Sequence, residues 1–294
     1  MARRGWRWGI AAAILLALVA ALVWVLARWL GGSEVDGVTG WVSPARRDRL
    51  RAIYEAGQAR GALPGVFTLV GDSISADGRF LKPIAQGQVD LGEYGALQAA
   101  IDAFSQPNGR GEPSFGAWSW AAEVGWTTDD ALNPALNVSG ACNANESPLV
   151  CEFRTARPSV ALITLGTNDV AAGRPVDSYR ANLRRILDES LAWGVIPVLS
   201  TIPPQNLGPE RDERVNQFNA VVRELAAEYE IPLWDSFAAL DALPDRGLSA
   251  DGVHLNAPPD GRTATFDAEH LAYGVTVRNL GALDALDIVR RALD

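Results

Sequence analysis

Short apolar runs that each end in glycine or a polar turn, separated by amphipathic stretches, constrain this chain more than any other feature. Val66–Val70 is followed by Gly71, and Val160–Leu165 by Gly166. Val195–Ile202 and Ile231–Trp234 are two more such runs. Runs of this length and evenness read as strands buried on both faces of a parallel sheet. Between them, residues 177–193 place Tyr179, Leu183, Ile186, Leu187 and Leu191 on one helical face, with Gly194 as a stop. Pro209 to Tyr229 repeats the pattern with Val215, Phe218, Val222, Leu225 and Ala226. Ser43-Pro44 opens an earlier helix, whose buried face is expected to hold Leu50, Ile53 and Tyr54. Strand and helix in alternation with short links predict an α/β protein with one doubly wound, mostly parallel sheet and helices on both faces.

Two regions depart from that rhythm. Glu93–Phe104 reads as a helix and Ser105–Ser114 as a Pro/Gly-rich loop, while Asn133–Pro158 reads as an insertion near the sheet edge. The insertion carries the only two cysteines, Cys142 and Cys151, which could close a disulfide in an oxidising compartment. Asn137-Val-Ser and Asn145-Glu-Ser match the glycosylation pattern, which has meaning only on a eukaryotic secretory route.

The hydrophobicity is concentrated at the start. Twenty uncharged residues run from Trp8 to Ala27, enough helix to cover a hydrocarbon core of about 30 Å. Arg3, Arg4 and Arg7 precede them, and a cationic flank tends to stay cytoplasmic. A cleaved signal peptide would have a shorter apolar region and a small-x-small site, whereas this run ends in Ala27-Arg28-Trp29-Leu30. The expected order is a cytoplasmic stub (1–7), a single-pass transmembrane signal anchor (8–30), a spacer with an N-terminal helix (31–61) and an extracytoplasmic domain (62–294). The net charge is −9; four of the 26 basic residues flank the anchor and all 35 acids lie beyond it, which leaves the remainder at −13. An acidic surface repels phosphate backbones, so nucleic acid is not an expected partner.

Function in open parallel sheets gathers at the carboxyl ends of strands, and three polar clusters fall there or in the C-terminal loops. These are Gly71-Asp72-Ser73-Ile74, Gly166-Thr167-Asn168-Asp169 and Asp251-Gly252-Val253-His254. Singly, each is ordinary turn chemistry. The chain has only two histidines, His254 and His270, and a hydroxyl nucleophile needs a base beside it. Asp251, three residues before His254, is placed to hold the ring in the tautomer that frees its other nitrogen.

Together, in order, the clusters resemble three sequence blocks of the SGNH, or GDSL-type, hydrolases, over residues 62–294. The resemblance implies a three-layer α/β/α sandwich and an acyl-transferring serine. It implies Ser73 as nucleophile, His254 as general base and then acid, and Asp251 as the orienting carboxylate. It also implies an oxyanion hole from the Ser73 N–H, the Asn168 amide and a glycine N–H. For that glycine, Gly125 in Gly125-Trp126-Thr127-Thr128 is the better match and Gly140 the rival. The chain departs from the family after His254, where Asn256-Ala-Pro-Pro-Asp-Gly-Arg and further loop replace an early helix start.

Other candidates are weaker. Asp72 and Asp169 are expected in turn or capping roles, and His270 in a structural one without a nearby partner. Trp118, Trp120 and Trp126 are expected in the core more than in an aromatic sugar platform. No cofactor is expected: no zinc-ligand spacing is present, and Lys82 is the only lysine, so no phosphate-cradling loop with its lysine exists. The function expected is hydrolysis of a small-molecule, lipid or glycan ester. Transfer of the acyl group to a glycan hydroxyl and a non-catalytic surface binding module are the alternatives.

Overall fold

The structure, a computed structural model, describes residues 43–138 and 140–294. The expected anchor, its stub and most of the spacer lie outside them. Among the described residues no helix is long and apolar enough to cross a membrane.

Four strands form one parallel sheet in the order β1 (Phe67–Gly71), β2 (Val160–Thr164), β3 (Ile196–Ser200), β4 (Leu233–Trp234). These are the four apolar runs, shifted by a residue or two. All residues of the first three strands are buried, as expected when both faces are covered. The free edge of β1 is also engaged. Gly71 bridges Ala122 in parallel; its N–H donates to Ala121 O at 3.0 Å, and its carbonyl accepts from Glu123 N–H at 3.3 Å. The chain therefore leaves β1 toward one side and returns to pair on the other. That reversal is the switch point of a doubly wound sheet, and it falls at the carboxyl end of β1.

One helical layer consists of α1 (Pro44–Ala59), α2 (Gln98–Phe104) and, C-terminal in the chain, Gly274–Leu293, which contacts both. The opposite layer holds α3 (Thr128–Ala131), α4 (Pro148–Ala156), α6 (Val176–Trp193) and α7 (Pro209–Glu228), with the short α5 (Thr167–Ala171) beside α7. The C-terminal helix Gly274–Leu293 is α8. In α1 the Ser43 hydroxyl caps Arg46 N–H, and Leu50, Ile53 and Gly57 form the buried stripe. Tyr54 is half-buried instead of lying in that stripe. Gly57 is required there, because a Cβ would stand 2.2 Å from Gly194 O.

The segment Asn133–Pro158 is only half an insertion. Its second half is α4, whose Leu149, Cys151 and Phe153 are buried against β1 and α6. Its first half is a loop tied to α4 by the disulfide Cys142–Cys151, with a Cα–Cα distance of 5.3 Å. The expected bridge is thus formed.

Candidate active site

The turn after β1 is built by Asp72. Its backbone carbonyl accepts from Ser75 and Ala76 N–H at 3.0 and 2.9 Å, and its Oδ1 accepts from Ile74 N–H at 3.0 Å. Ser73 therefore projects from a fixed loop at the switch point, half-buried. Its Oγ lies 3.0 Å from His254 Nε2, across 181 residues of chain. His254 Nδ1 lies 2.7 Å from Asp251 Oδ2, while Asp251 Oδ1 accepts the backbone N–H of Val253 and of His254, both at 2.9 Å. Those two N–H groups and the ring hold the Asp251 carboxyl down at about 2, the Val253 bond contributing most. Asp251 is thus ionised throughout the neutral range and fixes a proton on Nδ1, which leaves Nε2 able to accept one.

The other expected residues converge on the same edge. Asn168 sits at the start of α5, and its Nδ2 donates to Trp126 O at 2.9 Å. An amide nitrogen has two hydrogens, so this bond orients the group and leaves one hydrogen for a ligand. Asp169, fully buried, accepts from Thr128 N–H at 2.9 Å and Thr128 Oγ1 at 2.7 Å, and pairs with Arg174 at 2.5 Å. Asn168 and Asp169 together clamp the Gly125–Thr128 loop to the end of β2, so Asp169 does more than turn or cap. Gly125 takes φ +82°, and among the described residues neither its N–H nor that of Ser73 donates to a protein acceptor. Gly140 instead lies two residues before Cys142, in the stretch that leads into the disulfide.

Two findings correct the expectations. His270 does not lack partners: Nδ1 is 2.7 Å from Asp267 and Nε2 is 3.1 Å from Asp260. The two carboxylates raise its pKa, Asp267 more than Asp260. This clamp closes the long loop after His254. Asn256 pinches the loop's neck, its Oδ1 accepting from Gly274 N–H and its backbone carbonyl from Val275 N–H. The excursion therefore leaves the Asp-x-x-His unit intact. Nor are all the tryptophans core: Trp118 is exposed and Trp120 half-buried, while half-buried Trp126 packs against the hydrophobic core.

Sequence reasoning missed Arg278. It is buried in α8 beneath the nucleophile turn, donating to Ile74 O at 2.7 Å, Ser75 Oγ at 3.2 Å and Thr164 Oγ1 at 3.3 Å. Its guanidinium lies 3.8 Å from the Phe80 ring centroid and 5.5 Å from that of Trp234. Burial lowers its pKa to about 10, so it stays a cation. Asp72, the carboxylate whose charge acts most on Arg278, is pushed up to about 6 by burial, against the Ile74 N–H and the Arg278 charge. The polar pair Arg278-Asn279, set between Val277 and Leu280 in the C-terminal helix, was the signal available in the sequence.

A parallel α/β sheet with a serine, a histidine and a carboxylate in hydrogen-bonded sequence at its switch point defines a serine hydrolase. The chain belongs to the GDSL-like Lipase/Acylhydrolase family, whose model matches residues 69–258. It is 30% identical over 116 residues to thioesterase 1/protease 1/lysophospholipase L1 of Escherichia coli strain K12, covering 39% of this chain. The chain spans about half the length, 54%, of that curated relative. Among solved structures it is similar to an alpha/beta hydrolase enzyme from the metagenome of Lake Arreo, Spain. That similarity has a TM-score of 0.51 and 15% identity, over 78% of this chain and 96% of the other. It also matches a lipase/acylhydrolase from Enterococcus faecalis, with a TM-score of 0.48 and 22% identity, over 77% and 96% of the two chains.

Proposed function

We propose that the chain is a serine esterase acting through an acyl-enzyme on Ser73. The single observation that carries this reading is the continuous run Ser73 Oγ–His254 Nε2–His254 Nδ1–Asp251 Oδ2 at 3.0 and 2.7 Å. Oγ attacks the ester carbonyl carbon while its proton passes to Nε2. The resulting oxyanion is met by the Ser73 and Gly125 N–H groups and the free Asn168 amide hydrogen. As the tetrahedral intermediate collapses, the C–O bond to the alcohol breaks and Nε2 returns the proton to that oxygen. Water then attacks the acyl carbon and gives a proton to Nε2; as this second intermediate collapses the bond from carbon to Oγ breaks, Nε2 returns the proton to Oγ, and the acid leaves. A fixed donor at the oxyanion contributes about 3–4 kcal/mol.

Hydrolysis is favoured over transfer by exposure. The His254 and Asp251 side chains are 49% and 50% exposed, and such an open site does not exclude water from the acyl-enzyme. The extracytoplasmic location is part of the same proposal. It is supported by the N-terminal apolar run and by a disulfide of the kind that persists in oxidising compartments. Alkylation of protein taken directly from cells should find both cysteines oxidised, and free thiols would speak against that location. For the chemistry, a fluorophosphonate probe should label the full-length protein and fail to label Ser73→Ala. Folded wild type that takes no label would leave a binding module as the better account.

A further inference from the structure

Burying a cation without a carboxylate in contact is costly, and α8 does so directly beneath the nucleophile turn. Arg278 is fully buried. Asp72 and Asp77 reach it through charge alone, with no hydrogen bond, and its Nε has no partner. The Phe80 and Trp234 rings beside the guanidinium offset part of the cost. For packing alone, an apolar side chain between those rings would avoid it altogether. The hydrogen bonds of Arg278 supply the reason for its presence.

Its fork joins two segments that carry separate donors to the oxyanion. Nη1 donates to Ile74 O at 2.7 Å and Nη2 to Ser75 Oγ at 3.2 Å, both on the turn after β1. The same Nη2 donates to Thr164 Oγ1 at 3.3 Å, at the end of the strand that leads to Asn168. Ser75 in turn fixes the peptide unit that matters. Its backbone N–H and that of Ala76 donate to Asp72 O at 3.0 and 2.9 Å, and the other end of that unit is the Ser73 N–H. Gly71 makes room for this contact. A Cβ there would stand 2.2 Å from Ser75 Oγ and 3.0 Å from Thr164 O, so a side chain would push the hydroxyl away from Arg278. Ile74, His254 and Arg278 also border one cavity, so the fork lies at the reaction centre and not at a remote point of α8.

Resting on the esterase reading above, we infer that Arg278 is a positioning residue for the acyl transfer: through Ile74, Ser75 and Thr164 it sets the Ser73 N–H and the Asn168 amide at the separation the oxyanion requires. It touches no reacting atom. Its effect falls on the transition state, because the ester carbonyl in the bound substrate does not yet carry the charge that those donors meet. Lysine cannot replace it, since a single ammonium lacks the planar fork that spans both segments. A misplacement of about 1 Å at a reacting centre lowers the rate on the order of 10²-fold, which sets the scale of the effect.

The test is steady-state hydrolysis of p-nitrophenyl acetate by the full-length protein and its variants, each checked for folding by circular dichroism. Arg278→Met keeps an unbranched side chain between the two rings and should lose about 10–100-fold in kcat, with KM within about twofold of wild type. Arg278→Lys keeps the charge without the fork and should stay at least about fivefold below wild type. Ser75→Ala leaves the cation and the rings untouched, and should lower kcat by about threefold or more at unchanged KM. Adding it to Arg278→Met should cost no more than about twofold further, because both changes break the same link. Wild-type kcat in the methionine variant would overturn the inference, as would a loss carried by KM. So would a lysine variant equal to wild type, which assigns the effect to charge, or losses that multiply in the double variant. Where Arg278→Met does not fold, Ser75→Ala and Thr164→Val carry the test: each should lower kcat, and wild-type kcat in both would overturn it. Failure of the esterase reading looks different, since wild type itself would then neither turn over acetate nor take the fluorophosphonate label.

Discussion

Replacing Asp72 with asparagine should stabilise this protein, and more so as the pH rises. Asp72 is fully buried, one of its carboxyl oxygens has no hydrogen-bond partner, and burial pushes the group from an ordinary 3.8 up to about 6. A carboxyl that titrates higher in the folded than in the unfolded state favours the protonated fold. Its cost is absent below about pH 4, grows between about 4 and 6, and is complete above that. The difference of about two pH units corresponds to about 3 kcal/mol at pH 8. Asparagine keeps an oxygen for the Ile74 N–H and never ionises, so it avoids this cost. At roughly 2–4 °C per kcal/mol for a domain of this size, the melting temperatures of Asp72→Asn and wild type should agree near pH 4. By pH 8 they should separate by roughly 6–12 °C, the variant being higher. Differential scanning calorimetry at both pH values checks this. A gap that stays constant, or one that opens in favour of wild type, would refute the reasoning that Asp72 is a buried carboxylate held against its desolvation.

Three further outcomes follow from the same geometry. Asn168→Ala removes an oxyanion donor and the tie to Trp126, so kcat on p-nitrophenyl acetate should fall about 10²–10³-fold with the fold retained by circular dichroism; a loss under fivefold would remove Asn168 from the reaction. Gly281 faces Trp234, and an added Cβ would stand 2.4 Å from Nε1, so Gly281→Ala should cost about 1–3 kcal/mol in urea unfolding, and an unchanged midpoint would contradict that packing. His270, raised by Asp267 and Asp260, gives stability that is full below its ordinary 6.5 and lost as pH rises through the higher folded value; amide protection factors in residues 257–273, corrected for the intrinsic base-catalysed rate, should therefore fall from pH 6.5 to 9 in wild type but not in His270→Gln.

The sheet was legible because its strands are buried on both faces, which makes each an unbroken apolar run, and because helix ends at Ser43-Pro44 and Gly194 carry local chemistry. The Ala122 pairing at the edge of β1 was not legible, since a one-residue bridge leaves no periodic pattern. Ser73, Asn168 and His254 stood out by lying at strand ends or by the scarcity of histidine. Gly125 was ambiguous with Gly140, because a glycine's neighbours in space, here Asn168 through Trp126 O, leave no mark on its own flanks. Arg278 was hidden for the same reason: its partners Ile74, Ser75 and Thr164 are remote in sequence. Asp267, by contrast, stands three residues before His270 as Asp251 does before His254, so that contact was legible and went unread. Trp118 and Trp120 were expected in the core, because a tryptophan looks alike in sequence whether it meets a sheet or solvent.

The account rests on a covalent passage through the hydroxyl at position 73. Rapid-quench mass spectrometry of the full-length enzyme turning over p-nitrophenyl octanoate measures it directly. One octanoyl group should appear on the peptide containing Ser73 during turnover and decay when ester is exhausted. Steady product release with that peptide unmodified at every quench time, or with the acyl group on another residue, would contradict it.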